Sequence, residues 1–595
     1  MNNLLTKSAK VFSSIVFLNL AFANNSHATT AKLTTKKINL VTKKECYKNK
    51  CDRLLAQTEQ PNRDRFIQPD RELIRPEDRE QKPILPQKKP TVIPEPDTEG
   101  QDIKIPIDKI KVVGSTVLSN EEIQSIVKPL EGKEVKLSEL RNAAKAITKK
   151  YLDKGFITSR AIVPQQKIKD GIVEIKVIEG SVAEIKIEGD NRLRENFVRQ
   201  RLELGTNTPL RVDELEGQLQ LLRSNQTIKN IEANLQPAPG EGESSLVVEI
   251  EEASPWLYGA EINNYSTVAT GAERISLTLG HRNLTGNSDR LVGVFTQALS
   301  ASSFSFDTSY SLPVNPKDGT VQLRARINRN EIISEEFEDS NLEGDSELYE
   351  VSFRQPLIRT LPKEFALSLG FSFQESRDFA NGIPLSQTNR TSVIKFGQDY
   401  TQRDIKGVWA FRSQFNLGFD SSEDVDETDA VLPNEENLPD DVFVSWLGQA
   451  QRLQRISPNN LLIMQADVQL TPSDLSPSEQ FVIGGAQSVR GYRQNARLGE
   501  SGVRLSVEDR ITVLKNAEDA PLLQVAPFAD LGLVAGESTH DTENNFLAGV
   551  GLGLIVQPIT GLNIRLDYAP PLVNLENTDN NIQEDGFYFR IGYNN

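Results

Sequence analysis

The spacing of apolar residues changes character near Ile103 and again near Pro255, and these changes divide the chain. Between them, stretches that alternate apolar and polar residues, as half-buried strands do, are interleaved with stretches of helical spacing. IDKIKVVGS alternates, and Ser119 then offers an N-cap before the acidic first turn of EEIQSIVKPL. LSELRNAAKAITKKYLDKG sets Leu140, Ala144, Ile147 and Leu152 at helical spacing and stops at Gly155. FITSRAIVP and GIVEIKVIEG are strands again. The order then repeats as strand VAEIKIEGD, helices ENFVRQRLEL and RVDELEGQLQLLRSN, and strands IKNIEANLQP and SSLVVEIEE, with Gly114 and Gly189 at equivalent turns. Two α+β modules of roughly 75 residues each are expected, 103–180 and 181–253. Each covers one sheet face with two helices and leaves an edge strand open to pairing with an extended chain.

After Pro255 helical spacing ends. Alternating segments of roughly ten residues, punctuated by Gly, Asn, Asp and Pro, follow one another to the last residue, as a transmembrane barrel requires. Sixteen strands are expected within 254–595, beginning near Trp256, Glu273, Asp289, Ser303, Gly319, Glu347, Glu364, Thr391, Lys406, Val442, Asn459, Gly502, Leu522, Phe546, Gly561 and Gly586. An antiparallel barrel with an even count closes with both ends on one side. Connection lengths fit that parity: Leu284–Ser288, Asn315–Asp318 and Thr360–Lys363 are short, whereas Glu331–Ser346, Asp420–Asp441 and Thr471–Ser501 are long. In LLQVAPFADLGLV, Leu523, Val525, Ala529, Leu531 and Leu533 share the lipid-facing parity, and Gln524, Phe528, Asp530 and Gly532 the inner one. In GFYFRIGYNN, Phe587, Phe589, Ile591 and Tyr593 point outward and Arg590 inward.

The first 102 residues follow other rules. Lys7 and Lys10 precede an apolar run, Val11 to Phe22, that is too short to span a bilayer and ends in Ala21-Phe22-Ala23, small residues where a signal peptidase cuts. Residues 1–23 are expected to be a signal peptide, with Ser26-His27-Ala28 as a second cleavage position. Residues 24–56 hold Cys46 and Cys51, the only cysteines. In an oxidising compartment a disulfide can close this small loop, with free thiols the alternative, whereas two thiolates alone supply half a zinc shell. Residues 57–102, with runs such as KPILPQKKPTVIPEPD, are too proline-rich and polar to fold and form a semi-rigid linker.

Composition removes further classes. The 595-residue chain carries a formal charge of −16 and no basic stripe, against nucleic-acid binding. Two acidic outer loops, EIISEEFEDSNLEGDSE and DSSEDVDETDAVLPNEENLPDD, have no EF-hand spacing and are expected to be solvated, with divalent-cation bridging to anionic lipid headgroups the alternative. Ser346 in GDSEL superficially resembles an esterase serine, but it lies in one of these loops with no evident activating partner, and no P-loop or G-x-S-x-G occurs. Enzymatic activity, cofactors and metal are not expected.

Three motifs carry a family resemblance. YLDKGFITSRAIVPQQKIKDGIVEIKVIEG, Tyr151 to Gly180, is similar to the signature of the first polypeptide-transport-associated (POTRA) domain of two-partner secretion transporters, the haemolysin secretion/activation and filamentous haemagglutinin transporter type. Val489-Arg490-Gly491-Tyr492, following Ser488, resembles the loop motif of that POTRA-plus-barrel superfamily, and Phe528-Ala529-Asp530-Leu531-Gly532 resembles its F-x-D-x-G strand motif. The resemblance implies an outer-membrane pore of a Gram-negative-type envelope, monomeric, with POTRA domains in the periplasm that capture an unfolded, large, β-helical secreted client. It also implies that the loop tip folds into the lumen and pairs Arg490 with Asp530. A barrel-assembly insertase of the same superfamily and a passive porin are the competing readings. The insertase shares the VRGY loop and POTRA modules, and the porin needs no such modules.

Overall fold

The computed structural model describes residues 84–85, 104–189, 192–334, 341–384, 388–422, 441–536, 544–575 and 581–595. The expected signal peptide, Cys46, Cys51 and all of the proline-rich linker but Ile84 and Leu85 lie outside the described residues, as do parts of both acidic loops.

The first module runs β1 (Lys104–Ile107), β2 (Lys109–Val113), α1 (Asn120–Val127), β3 (Lys133–Lys136), α2 (Leu137–Asp153), β4 (Arg160–Ile162) and β5 (Ile172–Ile178). Ser119 starts α1 with a capping box: Glu122 N–H donates to its Oγ (3.2 Å), and the Glu122 carboxylate accepts from Ser119 N–H (3.0 Å). The sheet order is β2-β5-β4, with β2 parallel to β5 and β4 antiparallel. Tyr151 is fully buried and donates to Glu179 (2.6 Å); burial, then that carboxylate, pushes its phenol up to about 12. One feature departs from the sequence reading. β3 lies between the helices and pairs with β1 as a separate ribbon. With Val135 as its single buried residue, this strand is too short for an alternation signal.

The second module repeats the plan with β6 (Ser181–Glu188), α3 (Glu195–Glu203), α4 (Val212–Arg223), β7 (Ile228–Pro237) and β8 (Glu243–Glu252), in sheet order β6-β8-β7. Its core joins Phe197, Leu202, Leu215 and Leu219 of the helices to Leu246 and Val248 of the central strand. Arg201 ties the module to the barrel. Its guanidinium lies over the Phe197 ring (3.5 Å), its Nε donates to Asp318 Oδ1 (3.0 Å) and its Nη2 to the Asn315 carbonyl (3.2 Å), both in a barrel turn.

The barrel strands are β9 (Trp256–Asn263), β10 (Arg274–Arg282), β11 (Arg290–Ala298), β12 (Ser303–Pro313), β13 (Thr320–Glu331), β14 (Leu342–Arg359), β15 (Lys363–Ala380), the two-residue β16 (Ile383–Pro384), β17 (Asn389–Asp404), β18 (Gly407–Ser422), β19 (Asp441–Ser457) and β20 (Asn460–Leu470). After a loop hairpin of β21 (Phe481–Ile483) and β22 (Arg497–Gly499) come β23 (Ser501–Lys515), β24 (Pro521–Ala535), β25 (Phe546–Val556), β26 (Leu562–Tyr568) and β27 (Phe587–Asn594). Leaving aside β16, sixteen antiparallel strands close a barrel as the sequence implied, and β27 pairs with β9 from Arg590–Asn263 to Asn594–Gly259. Alternation sorts the two faces: Leu277, Leu279, Phe353, Leu531 and Leu533 are exposed outward. Inside, ion pairs such as Lys395–Glu350 (2.6 Å) and Arg412–Asp399 (2.7 Å) line the lumen.

Two expectations about connections are corrected. β14 starts at Leu342, not near Glu347, so GDSEL is strand and not loop: Ser346 pairs in register with Asn328 and Ser376. Its charged residues hid the alternation that marks the membrane part of the strand. The outer connection from β11 to β12 spans only Leu299 to Ser302, where long outer loops were expected.

Candidate functional site

The site is built where the long connection between β20 and β23 meets the inner wall of the last strands. The modules precede β9, so after eleven barrel strands this connection lies at the end of the barrel opposite to them. β21 and β22 pair antiparallel and carry the chain to the tip. Phe481 and Ile483 of β21, with Val489, Tyr492 and Ala496, make an apolar cluster against Val534 of β24 and Leu547 of β25. This cluster buries the loop's own apolar residues and leaves its polar tip aimed at the wall. The turn at Gly491 has φ 106°, a conformation that a side chain would strain.

Arg490, 5% exposed, is the centre of the site. Its Nε donates to Asp530 Oδ2 (2.6 Å) and its Nη2 to Oδ1 (2.9 Å), a bidentate charge-assisted pair reinforced by its backbone N–H to Oδ2 (3.2 Å). Its Nη1 donates to Glu508 Oε2 (2.6 Å), and its guanidinium carbon lies 3.3 Å from the centre of the Phe528 ring. Ser506 Oγ donates to Asp530 Oδ1 (2.6 Å). Glu508 in turn accepts from Arg510 Nε (2.8 Å) and Arg565 Nη2 (2.7 Å), and Arg565 Nε donates to Asp567 (2.7 Å). Three guanidiniums thus face three carboxylates, so the buried cluster is balanced, which is the condition under which buried charge is tolerated.

The neighbours of Arg490 are fixed by a tyrosine pair. Gly491 and Tyr492 both donate their N–H to the Tyr588 hydroxyl (2.8 Å each), which donates to the Tyr492 carbonyl (2.7 Å), using its one proton and both lone pairs. The Tyr492 hydroxyl donates to the Ala548 carbonyl (2.7 Å) and accepts from Val573 N–H (3.0 Å). The wall is trimmed to admit the tip. A Cβ at Gly532 would stand 2.7 Å from Val489 Cγ2, and one at Gly549 would collide with the Arg490 carbonyl.

Val489, Arg490, Gly491 and Tyr492 on the loop and Phe528, Asp530 and Gly532 on β24 are therefore brought together. Sequence reading did not single out Glu508, Arg565, Asp567 or Tyr588. A signal existed for two of them. VRLSVEDR places Arg504, Ser506, Glu508 and Arg510 on one parity of β23, and the outward aromatics of β27 leave Tyr588 inward. Among the described residues no group of three or more His, Cys, Asp or Glu is arranged to hold a metal ion.

Comparison with known proteins agrees with this architecture. The model of the haemolysin secretion/activation protein family ShlB/FhaC/HecB matches residues 242–556, and that of the ShlB-type POTRA domain matches residues 105–180. The heme/hemopexin transporter protein HuxB of Haemophilus influenzae (strain 86-028NP) is 24% identical over 80% of this chain and 86% of its own length. The solved structure of CdiB from Escherichia coli superposes with a TM-score of 0.64 at 20% identity, covering 92% of this chain and 99% of that one. BamA from Haemophilus ducreyi lacking POTRA domains 1–3 superposes at 0.50 with 13% identity, covering 83% and 100%. The chain belongs to the haemolysin secretion/activation family ShlB/FhaC/HecB, two-partner secretion transporters rather than enzymes, with the barrel in the outer membrane, the POTRA modules in the periplasm and a secreted protein as partner.

Proposed function

We propose that the POTRA modules capture the secreted partner while it is extended and unfolded, and that it threads the lumen as the Arg490 tip moves off the wall. Capture rests on sheet edges. β2 and β4 in the first module, and β6 and β7 in the second, end their sheets, and an extended chain can add to such edges by backbone hydrogen bonds whatever its side chains. Sequence-tolerant recognition of that kind suits a large, β-helical client that has not yet folded. Folding outside the cell would then give the passage its direction.

The observation that carries this reading is the Arg490 tip itself. A loop entering from the far end of the barrel is buried against the inner wall through ion pairs and hydrogen bonds to fixed strand residues. A bidentate guanidinium–carboxylate pair fixes direction as well as position, so the tip has one seated arrangement to leave and return to. The wall motif of Phe528, Asp530 and Gly532 supplies the face, the anion and the space.

The test is export of the secreted partner by the Arg490→Ala chain. Secretion is expected to be abolished while the barrel still inserts and shows heat-modifiable mobility on gels. Undiminished export from an inserted barrel would refute the role given to the loop.

A further inference from the structure

Ile84 and Leu85 stand apart from the rest of the linker sequence. Leu85 is 5% exposed and belongs to the apolar core of the second module, and Ile84 packs half-buried beside it. Their two consecutive N–H groups donate to the two oxygens of one carboxylate, Ile84 to Glu216 Oε1 (2.8 Å) and Leu85 to Oε2 (3.0 Å). Glu216 projects from α4, and Gln220 Nε2, one turn on, donates to Oε1 (2.7 Å) and holds the carboxylate in place. The module completes its own sheet and both helices without this segment, which comes from more than 130 residues away in sequence.

The contact reads main chain, not side chain. One carboxylate taking two successive amide protons requires only an extended or turning backbone without proline at those two positions, together with one aliphatic side chain for the socket. The resident segment is poor in further contacts by its own sequence. Pro83 and Pro86 flank Ile84 and Leu85, so neither neighbour has an N–H to offer, and proline keeps the preceding residue extended. A segment without those prolines could make the same two bonds and add more.

We infer that Glu216 and the Leu85 socket form a binding site for an extended aliphatic segment of the unfolded secreted polypeptide, occupied at rest by the chain's own Ile84–Leu85. The site rests on the capture reading above and extends it from the sheet edges to a specific place on α4. The linker is a resident competitor: capture replaces its two amide bonds and one buried leucine with equivalent groups from the client.

The test uses the full-length chain in detergent micelles and a fluorescein-labelled synthetic peptide of residues 79–90, read by anisotropy. Leu85→Asp takes the linker's leucine out of the module's core and vacates the socket while leaving the module's own residues unchanged; with its fold checked by far-UV circular dichroism, this variant is expected to bind the peptide saturably. The unaltered chain, whose socket is filled, should bind it at least about tenfold more weakly, as should Leu85→Asp combined with Glu216→Gln, which keeps side-chain size but loses the charge and one acceptor. An unrelated peptide, Ser-Thr-Ile-Leu-Ser-Thr, should displace the label, and its counterpart with proline in place of leucine should not. Equal binding with Glu216→Gln, or no displacement by the unrelated peptide, would overturn the proposal, the latter by making the contact a private linker clip. Either failure leaves edge-strand capture untouched. Capture itself fails if a chain lacking both modules exports the partner fully.

Discussion

Glu508 offers the sharpest perturbation of the buried cluster, because Glu508→Gln removes one charge and almost no volume. Four guanidinium contacts converge on its carboxylate: Arg490 Nη1 (2.6 Å), Arg510 Nε (2.8 Å), and Arg565 Nη2 (2.7 Å) and Nη1 (3.2 Å). The substitution leaves three cations facing Asp530 and Asp567 alone. Breaking a buried pair by removing one partner costs about 3–5 kcal/mol. That cost is shared, since Arg565 keeps Asp567 and Arg490 keeps its bidentate bond to Asp530. The part falling on the tip is one charge-assisted bond, about 1.5–3 kcal/mol, or roughly 10- to 100-fold in the population of the detached tip. Hydrogen exchange of the Gly491 and Tyr492 amides reads this directly, since both N–H groups are buried on Tyr588. Exchange at these two amides is expected to accelerate about 10- to 100-fold, while the ladder amides of β14 and β15 keep their protection. Unchanged exchange at the tip would refute the coupling of Glu508 to Arg490. Acceleration throughout the ladder would show instead that the cluster braces the barrel.

Further predictions probe the other contacts. Gly549→Val should unseat the tip by collision with the Arg490 carbonyl; the barrel should still insert, and a cysteine probe on the tip should become reactive from outside. Tyr588→Phe leaves two buried N–H groups without an acceptor, each costing about 1–3 kcal/mol, and should accelerate exchange at Gly491 and Tyr492 more than Glu508→Gln does. Tyr151, with its phenol raised from 10.0 to about 12, contributes stability that is complete below pH 10 and is lost as pH rises toward 12. The midpoint of thermal unfolding of the modules should therefore fall across that window, and Tyr151→Phe should flatten the dependence.

Much of the fold was legible in the sequence because its two signals are strong. Strand alternation survives wherever one face meets lipid and the other water, which is how Leu531 and Asp530 were assigned opposite faces from parity alone. It fails where both faces are wet, as at the start of β14, and where a strand is only a few residues long, as in β3. In the site, motif resemblance and parity singled out Arg490 and Asp530. The rest of the network was hidden for a physical reason. Arg565 and Asp567 look like any inward-facing charged residues of a barrel strand, and only the depth to which the loop descends decides which of them meet it. The Ile84–Leu85 contact was invisible in a different way, since composition marked the whole of 57–102 as unable to fold and a two-residue anchor does not alter a composition.

The distribution of the tip's contacts bears on whether Arg490 gates the lumen or braces it. Arg490 bonds to β23 and β24, Gly491 to β27, and Tyr492 to β25, β27 and the segment after β26. These strands are consecutive neighbours in the barrel, so these three residues attach to one side of the wall. A brace resists deformation by joining parts that would otherwise move apart, and these neighbouring strands are already joined by hydrogen-bonded ladders, although β25 meets β26 only over Leu552–Val556. The same contacts suit a seat. They are directional, they saturate the donors and acceptors of Tyr588, and they complete a charge balance in which, without Arg490, Glu508 would keep Arg510 and Arg565 but Asp530 would keep Ser506 and no cation. Departure of Arg490 leaves each carboxylate a donor but sets three carboxylates against two guanidiniums, with the buried Asp530 on the Ser506 hydroxyl. Lifting the tip therefore costs about as much as breaking a buried pair, about 3–5 kcal/mol, and the seat holds the tip firmly at rest.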